Sequence, residues 1–414
     1  MLGGKPELIK NINQKNIIHL IKKHGPISRI NLAQQIGISQ TAVSKIIAQL
    51  IDKKIVTEIE ETNAKRKVGR QPVLIKFNSN TVFVLAIAVK RYEFEIALTD
   101  GDGKLVDSAS IKDVDRLDSS LLLNLIETHT KYLLNRKRVS HESLLGIGIA
   151  VSGTVSQNSG VIDVPQHYST FRGFELKNFF EKLVPDVPVY LENDIFAMTQ
   201  AEYQIGIGSN FKSMALIACT SLGLSIGFIH SNILLRGFNN LAGEIGTLFI
   251  EDFYSNTLMR KYLFLNRKTV LDDLLNTTSL VTVAKNGLLA GEVSSLQKFA
   301  AENFQTFKKE DIFKAADEGD GFAKKILMEY GMILGFFCNL VINFYDPQVI
   351  VFDRKSLGDN KFIFDQAKKV IKEHCNLIKI EGIELICSKY SHSEIIYGAA
   401  SLVLQDLFKP FEQN

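Results

Sequence analysis

The feature that most constrains the fold is an abrupt change of pattern near Phe77. Before it, apolar residues such as Ile17 and Ile21 recur at roughly helical spacing. After it come long apolar runs joined by short turns, beginning with VFVLAIAV at residues 82–89, and such runs are typical of buried strands. The chain of 414 residues is long enough for two or three domains. We therefore expect a small helical module over residues 1–77 and a larger α/β region after it.

The charge of the chain is divided at the same point. Residues 1–77 hold 14 Lys and Arg against 5 Asp and Glu, a net charge of +9. Residues 78–414 hold 34 basic and 40 acidic residues, a net charge of −6. A small basic module attached to a larger acidic one indicates a polyanionic partner for the basic part. A merely solvated basic surface would give the same charge, so this observation alone leaves both explanations open.

The basic module has the capping and turn residues of a helix-turn-helix. Ser28 is suited to cap a second helix, Gly37 supplies a tight turn, and Ser39 can cap a third helix. The three helices are predicted over residues 7–24, 29–35 and 40 to about 52. Two short helices joined by a Gly-containing turn form the helix-turn-helix pattern.

A predicted β-hairpin follows the third helix. Its strands, residues 55–59 and 72–77, flank a polar stretch rich in Lys and Arg, which is the pattern of a wing. We expect double-stranded DNA as the partner, because short polar and basic side chains on a recognition helix contact bases and phosphates. The predicted DNA contacts are Gln40, Thr41, Ser44, Lys45, Arg66, Lys67 and Arg70. A helical hairpin used only for protein contact is the alternative.

The larger region reads as two comparable halves. Each begins with a predicted antiparallel meander and continues with strands that alternate with helices, including LLGIGIAV and VPVYLEND in the first half and VIVFD in the second. Ligands of α/β sheets bind beyond the carboxyl ends of strands. We therefore expect a cleft between two lobes, lined by the segments SGTVS, LEND and TSLGLSIG.

The order of motifs along the whole chain resembles the ROK family (repressors, open reading frames and sugar kinases). These motifs are the winged helix, Gly69-Arg70-Gln71-Pro72, IGIAVSGTV, YLENDIFAMTQAE and LAGEIGTL. The resemblance implies an α/β fold in which a winged helix-turn-helix precedes a two-lobed actin/hexokinase-like, ribonuclease H-like domain. The expected domains are residues 1–77 for DNA binding, 78–194 with 391–414 for the first lobe, and 195–390 for the second. The family also implies a homodimer or a dimer of dimers on a palindromic operator.

The resemblance carries four ligand-binding residues onto this sequence. Asn193 and Asp194 match the Asn and Asp that bind sugar hydroxyls in the family, and the Asp is also the general base of the kinases. Glu244 matches a sugar-binding Glu, and Gly153 lies in the small-residue turn Ser152-Gly153. A carboxylate can accept from two hydroxyls while an amide both donates and accepts, which suits a sugar. A helix N-cap is the alternative role for Asp194.

The chain departs from the kinase members where they bind phosphate and metal. The phosphate loop after the first strand reads Ala88-Val89-Lys90-Arg91, without glycines or the metal-handling Asp. The second glycine loop becomes residues 223–227 with one Gly replaced, and the bulk and charge of residues 352–355 are expected to fill the adenosine pocket. Thr247 replaces a family His, and the Cys-rich zinc loop is absent. We therefore expect no catalytic residue, no metal and no cofactor.

Other features of the sequence predict a cytoplasmic protein without a membrane partner. The N-terminus lacks the apolar core of a signal peptide, and the longest uncharged run, residues 330–345, is shorter than a membrane span. We interpret that run as a buried helix over residues 330–343 that runs into a turn. The four cysteines, Cys219, Cys338, Cys375 and Cys387, include no pair at CxxC spacing and are expected to be buried or incidental thiols.

These observations favour a DNA-binding transcriptional repressor of carbohydrate metabolism with a sugar or sugar-derivative effector. An ATP-dependent sugar kinase with an appended DNA-binding domain is one alternative, supported by Asp194 and opposed by the altered phosphate loops. A scaffold regulated by a protein partner is the other, because the family His and zinc loop are missing.

Overall fold

The computed structural model describes residues 6–60, 73–155, 162–163, 173–220, 223–248, 257–263, 269–301, 303–374, 382–390 and 394–408. The chain forms two compact units, Met1–Ala197 with Ile395–Asn414 and Met198–Glu394. The first unit thus contains the basic module as well as the first α/β half. The finer division into three domains stays a prediction.

The N-terminal part of the first unit is a winged helix. Its elements are α1 (Pro6–His24), β1 (Ile27–Ser28), α2 (Arg29–Ile36), α3 (Gln40–Asp52), β2 (Val56–Glu60) and β3 (Val73–Phe77). The strands form one antiparallel sheet in the order β1-β3-β2. The apolar face of α3 is buried in the core of this module through Val43, Ile46, Ile47 and Leu50. Full burial of each such side chain stabilises the module by about 1.5–3 kcal/mol.

Local capping explains where these helices begin and end. The Ser28 hydroxyl accepts a hydrogen bond from the Asn31 N–H at 3.2 Å, and the Ser39 hydroxyl accepts one from Ala42 at 3.2 Å. Gly37 adopts a left-handed conformation with φ of 75°, which costs glycine little and ends α2. The predicted second and third helices are confirmed to within one residue.

The first α/β half is built on a five-stranded sheet. Its strands are β4 (Phe83–Val89), β5 (Glu93–Asp100), β6 (Leu105–Lys112), β7 (Leu144–Val151) and β10 (Val189–Asn193). The sheet order is β10-β7-β4-β5-β6, with β4, β5 and β6 as an antiparallel meander and β7 and β10 parallel to β4. A small hairpin of β8 (Thr154–Val155) and β9 (Ile162–Asp163) follows β7. The predicted meander is confirmed.

Helices cover both faces of this sheet. They are α4 (Ser119–Arg136), α5 (Leu176–Leu183), α6 (Asp194–Ile205), which runs on into the second unit, and α15 (Glu394–Phe408). Large side chains such as Leu85 and Ile87 point to one face, whereas small ones such as Ala86 and Ala88 point to the other. The strand alternation explains this division. The small side chains let α15 approach closely, and Ala399 and Ala400 pack there.

The second unit repeats the same sheet topology. Its strands are β11 (Ser213–Cys219), β12 (Leu224–His230), β13 (Ile233–Leu235), β14 (Val349–Phe352) and β15 (Glu384–Cys387). The order β13-β12-β11-β14-β15 again places an antiparallel meander beside two parallel strands. Its helices are α7 (Leu258–Leu263), α8 (Leu271–Leu275), α9 (Thr277–Leu289), α10 (Lys298–Ala301), α11 (Lys309–Asp317), α12 (Gly321–Tyr345), α13 (Arg354–Leu357) and α14 (Lys361–His374). The prediction of two comparable halves is confirmed.

Helix α12 is the central helix of the second unit. The helix is long and apolar enough to cross a membrane, but 67% of its most apolar 18-residue stretch is buried inside the protein. Tyr330, at its middle, is fully buried and donates a hydrogen bond to the Leu275 carbonyl at 2.7 Å. The prediction of a buried helix at residues 330–343 is confirmed, and the helix begins nine residues earlier than predicted.

Candidate functional site

Two polar turns meet at one edge of the first α/β sheet. β7 ends at Val151 and is followed by Ser152-Gly153, while β10 ends at Asn193 and is followed directly by Asp194 at the start of α6. The two strands are parallel, and Val151 pairs with Asn193 in the register. Their carboxyl ends therefore lie side by side, which is where α/β sheets bind ligands.

Asn193 caps α6 and also holds the neighbouring turn. Its Oδ1 accepts hydrogen bonds from the N–H groups of Ile195 at 3.0 Å and Phe196 at 3.3 Å. Its Nδ2 donates to the Gly153 carbonyl at 2.9 Å. The capping role considered for Asp194 thus belongs to Asn193. Asn193 is 8% exposed, and its amide has a second N–H that could still be donated to a ligand. A ligand contact by Asn193 stays a prediction.

Asp194 is half-buried and held by two donors. The Ser152 hydroxyl donates to its Oδ2 at 2.5 Å, and the Ile195 N–H donates to its Oδ1 at 2.8 Å. Burial raises the pKa of the Asp194 carboxyl above its ordinary value, while these two hydrogen bonds act in the opposite direction. The arrangement is a carboxylate positioned to accept further hydrogen bonds at the strand edge.

Glu244 lies in the second unit, on the segment that follows β13. It is exposed, and its N–H donates to the Leu241 carbonyl at 3.2 Å. A Cβ added to Gly243 would lie 1.9 Å from the Ile226 carbonyl oxygen, so glycine is needed for this segment to lie against β12. The motif LAGEIG is therefore anchored by close backbone packing, and the contact between Glu244 and a ligand stays a prediction.

The segment that the resemblance matches to the first phosphate loop of the kinases, residues 88–91, ends in a tight hairpin turn between β4 and β5. The Lys90 N–H donates to the Glu93 carbonyl at 2.9 Å. The Lys90 ammonium pairs with the carboxylates of Glu95 at 2.5 Å and Glu93 at 3.3 Å. The prediction of a hairpin turn at Lys90-Arg91 is confirmed, and the Lys90 charge is already compensated.

One expectation about the second unit is confirmed and one is wrong in detail. Residues 224–227, which the resemblance matches to the second glycine loop of the kinases, lie within β12, as the reading of residues 223–230 as a strand predicts, and a Cβ on Gly227 would lie 1.8 Å from Thr199 of α6. Phe352, expected to fill a nucleotide pocket, is fully buried in the core, where its ring packs against Phe364 with centroids 5.1 Å apart. Gly227 and Phe352 both contribute to the packing of helices on the faces of the sheet, not to the turns at the strand ends.

The exposed face of α3 carries the predicted DNA contacts. Gln40, Thr41, Ser44 and Lys45 are all exposed, on the side of the helix opposite to its buried residues. The three wing residues predicted to contact DNA, Arg66, Lys67 and Arg70, lie outside the described residues. In the described part of the chain, no group of three His, Cys, Asp or Glu residues could hold a metal ion.

Ser152 is a site residue that the sequence reasoning missed. The prediction named Gly153 in this turn, whereas the structure shows that the Ser152 hydroxyl contacts Asp194 and that Gly153 contributes its carbonyl group. Pairing of IGIAVS with YLEND as adjacent parallel strands would have placed Ser152 opposite Asp194, and this register was the available signal.

Comparison with known protein families agrees with this architecture. A model described as the ROK family matches residues 84–406, and a model of a winged helix-turn-helix DNA-binding module matches residues 10–57. The first match spans more than half of the chain. The chain therefore belongs to the ROK family.

Similar proteins share nearly the full length of the chain. The xylose repressor of Bacillus spizizenii is 24% identical over 408 residues, covering 96% of each chain. The Escherichia coli DNA-binding transcriptional dual regulator NagC is 23% identical and covers 97% of this chain and 94% of its own. A solved ROK family transcriptional regulator, a homologue of the E. coli MLC protein, has a TM-score of 0.77 at 23% identity and 97% coverage of each chain. The α/β fold class with an N-terminal winged helix and a ROK domain is confirmed.

Proposed function

We propose that this chain is a sequence-specific DNA-binding transcriptional repressor of carbohydrate metabolism, whose ROK domain binds a sugar or sugar derivative. The observation that carries the proposal is that similarity to the xylose repressor and to NagC extends over at least 96% of the chain. It therefore includes the winged helix and the ROK domain together. The protein acts in the cytoplasm, where its DNA is.

The DNA interface of the proposed repressor is the exposed face of α3 with the basic wing. Side chains at the start of a recognition helix reach base edges in the major groove, and those of α3 there are polar or basic. A homodimer, or a dimer of dimers, presents two such helices to a palindromic operator. The half-sites are then one helical turn, about 34 Å, or a multiple of it apart.

The DNA interface is tested with operator DNA selected from a random pool. If about six phosphates are neutralised, the slope of log affinity against log salt concentration is about −5. Lys45→Ala should reduce the magnitude of that slope by about one, whereas Ser44→Ala should change the preferred bases. Lys131→Ala, an exposed lysine on α4, is the control and should change neither. A chain without residues 1–77 that keeps operator affinity would contradict the proposal.

The ligand-binding edge is proposed to recognise rather than phosphorylate its sugar. Phosphoryl transfer depends chiefly on positioning and on neutralising the transferred phosphate with backbone amides and Mg²⁺. A general base contributes only about 10²- to 10⁴-fold. Asp194 is retained, but the turn at Lys90 forms internal ion pairs with Glu93 and Glu95 where the kinases have a phosphate loop. Asp194 then serves as a hydrogen-bond acceptor for ligand hydroxyls.

Calorimetry with a sugar panel tests this second half of the proposal. Asp194→Ala should lower affinity for the effector by about 5- to 150-fold, because a ligand hydroxyl loses its acceptor. Asp115→Ala, an exposed aspartate in the first unit, is the control. Effector binding should change operator affinity by about 5- to 150-fold, the range of typical allosteric coupling. Phosphate transfer from ATP–Mg²⁺ that disappears in Asp194→Ala would establish a kinase. Operator binding without any sugar binding would favour a scaffold regulated by a protein.

A further inference from the structure

The Ser152 hydroxyl is placed beside Asp194 by backbone contacts on both sides of the turn. The Ser152 N–H donates to the Val89 carbonyl at 2.9 Å, which ties the turn to the end of β4. Gly153, the next residue, accepts from the Asn193 side chain at 2.9 Å. With the turn held at both residues, the Ser152 side chain is directed at the Asp194 carboxylate, where its Oγ lies 2.5 Å from Oδ2.

The hydrogen bonds of the carboxylate determine what it can still bind. Each Asp194 oxygen has one donor, Ser152 on Oδ2 and the Ile195 N–H on Oδ1. A carboxylate has about four lone-pair sites, so about two remain for a ligand. Serine has one O–H, which is given to Asp194, and the remaining capacity of its oxygen is as an acceptor. The pair therefore offers acceptors to a ligand.

The charge at this edge also restricts the ligand. Burial raises the pKa of the Asp194 carboxyl, whereas the two hydrogen bonds and its position at the start of α6 act in the opposite direction and favour the carboxylate form. Among the residues that the structure describes, Asp194 takes part in no ion pair with a Lys, Arg or His. A phosphate or carboxylate oxygen placed against the Asp194 oxygens would meet acceptors, and the Ser152–Asp194 pair has no donor left for it. A hydroxyl group would donate to them.

On the basis of the proposed sugar-binding function, we propose that Ser152 is a positioning residue that orients the Asp194 carboxylate. The pair then selects a ligand that presents neutral hydroxyl groups, not a phosphate or carboxylate group, at this strand edge. The ligand class is a neutral sugar or a derivative whose charged group lies elsewhere.

The positioning role can be measured without any ligand. The full-length protein with ¹³C-carboxyl-labelled aspartate is titrated by NMR, and Asp194→Asn assigns the signal. Ser152→Ala should raise the pKa of Asp194, because a donor to the charged form is lost, whereas Ser152→Thr keeps a hydroxyl and should restore the wild-type titration. Ser108→Ala, an exposed serine on β6 of the same sheet, is the control. An unchanged Asp194 titration in Ser152→Ala would overturn the positioning role.

The selectivity is measured by calorimetry with glucose, xylose and N-acetylglucosamine, their terminal phosphate esters, and glucuronate. At least one of these sugars should bind, its affinity should fall by about 5- to 10-fold in Ser152→Ala, and Ser152→Thr should retain most of it. A bound sugar whose affinity is the same in Ser152→Ala as in wild type would overturn the inference but leave the proposed function intact. Binding of no sugar would overturn the proposed function and the selectivity, while the NMR titration would still decide the role of Ser152.

Discussion

Replacing Asn193 separates a structural role from a ligand-binding role. Asn193→Ala removes the N-cap of α6, which costs about 1 kcal/mol, and the hydrogen bond to the Gly153 carbonyl, which costs about another 1 kcal/mol. We therefore expect the free energy of unfolding to fall by about 2 kcal/mol. Asn193→Ser keeps an oxygen acceptor for the helix and loses only the amide donor. Its expected cost is about 1 kcal/mol.

The assay is urea unfolding followed by circular dichroism, since the chain contains no Trp for fluorescence. The expected order of unfolding midpoints is wild type, then Asn193→Ser, then Asn193→Ala. Asn178→Ala, which removes an exposed asparagine side chain on α5, is the control and should leave the midpoint nearly unchanged. Wild-type midpoints in both Asn193 variants, together with loss of effector binding, would refute the capping argument and make Asn193 a ligand contact only.

Two further predictions concern packing and pH. In Gly148→Ala, the new Cβ would lie 1.8 Å from the Ala399 carbonyl oxygen, so the free energy of unfolding should fall by about 1–3 kcal/mol or more. Gly321→Ala is the control and should be tolerated, because nothing lies within 4 Å of the added Cβ. Thermal unfolding of both variants tests this prediction. Burial alone would raise the pKa of Asp102, but hydrogen bonds, above all from Lys22, hold it below the ordinary value. Because the folded pKa is depressed, its stabilising contribution is present above the unfolded-state pKa, about 4, and is lost as the pH falls through the folded pKa. The difference in unfolding free energy between wild type and Asp102→Asn should therefore become smaller from pH 7 to pH 3, as measured by urea unfolding at each pH. A difference that does not change with pH would contradict the ion pair with Lys22.

The winged helix could be predicted closely from the sequence because the residues that cap its helices and form its turn act locally. Ser28, Gly37 and Ser39 act on backbone groups within three or four residues, so their effect can be read from the chain itself. The meander at the start of each half was equally accessible, since its strands are consecutive and joined by short turns. The long helices after β13 could be placed only coarsely, because their packing partners are distant in sequence.

The sequence named residues of the candidate site but not the contacts that they make with one another. Asn193 and Asp194 were identified from a motif, yet which one caps α6 depends on backbone geometry at the strand-to-helix turn. The contact of Ser152 with Asp194 joins residues 42 positions apart and follows only from the register of two parallel strands. Phe352 was misassigned because burial in a core and obstruction of a pocket require the same apolar side chain. Only the structure shows where that side chain points.

The carboxyl ends of β4, β7 and β10 explain how the turn at one strand end can change while the contacts at the neighbouring strand ends persist. These three strands are parallel and adjacent, so their following turns line one edge. The turn after β4 is held within its own hairpin by Lys90 and Glu95, whereas the turns after β7 and β10 hold each other through Ser152 and Asp194. A change of side chains in the β4–β5 turn therefore leaves the Ser152–Asp194 contact unbroken, because the turn after β7 contacts the end of β4 through the Val89 backbone carbonyl. Under the proposed function, loss of phosphate handling and retention of sugar recognition are separable changes in this fold.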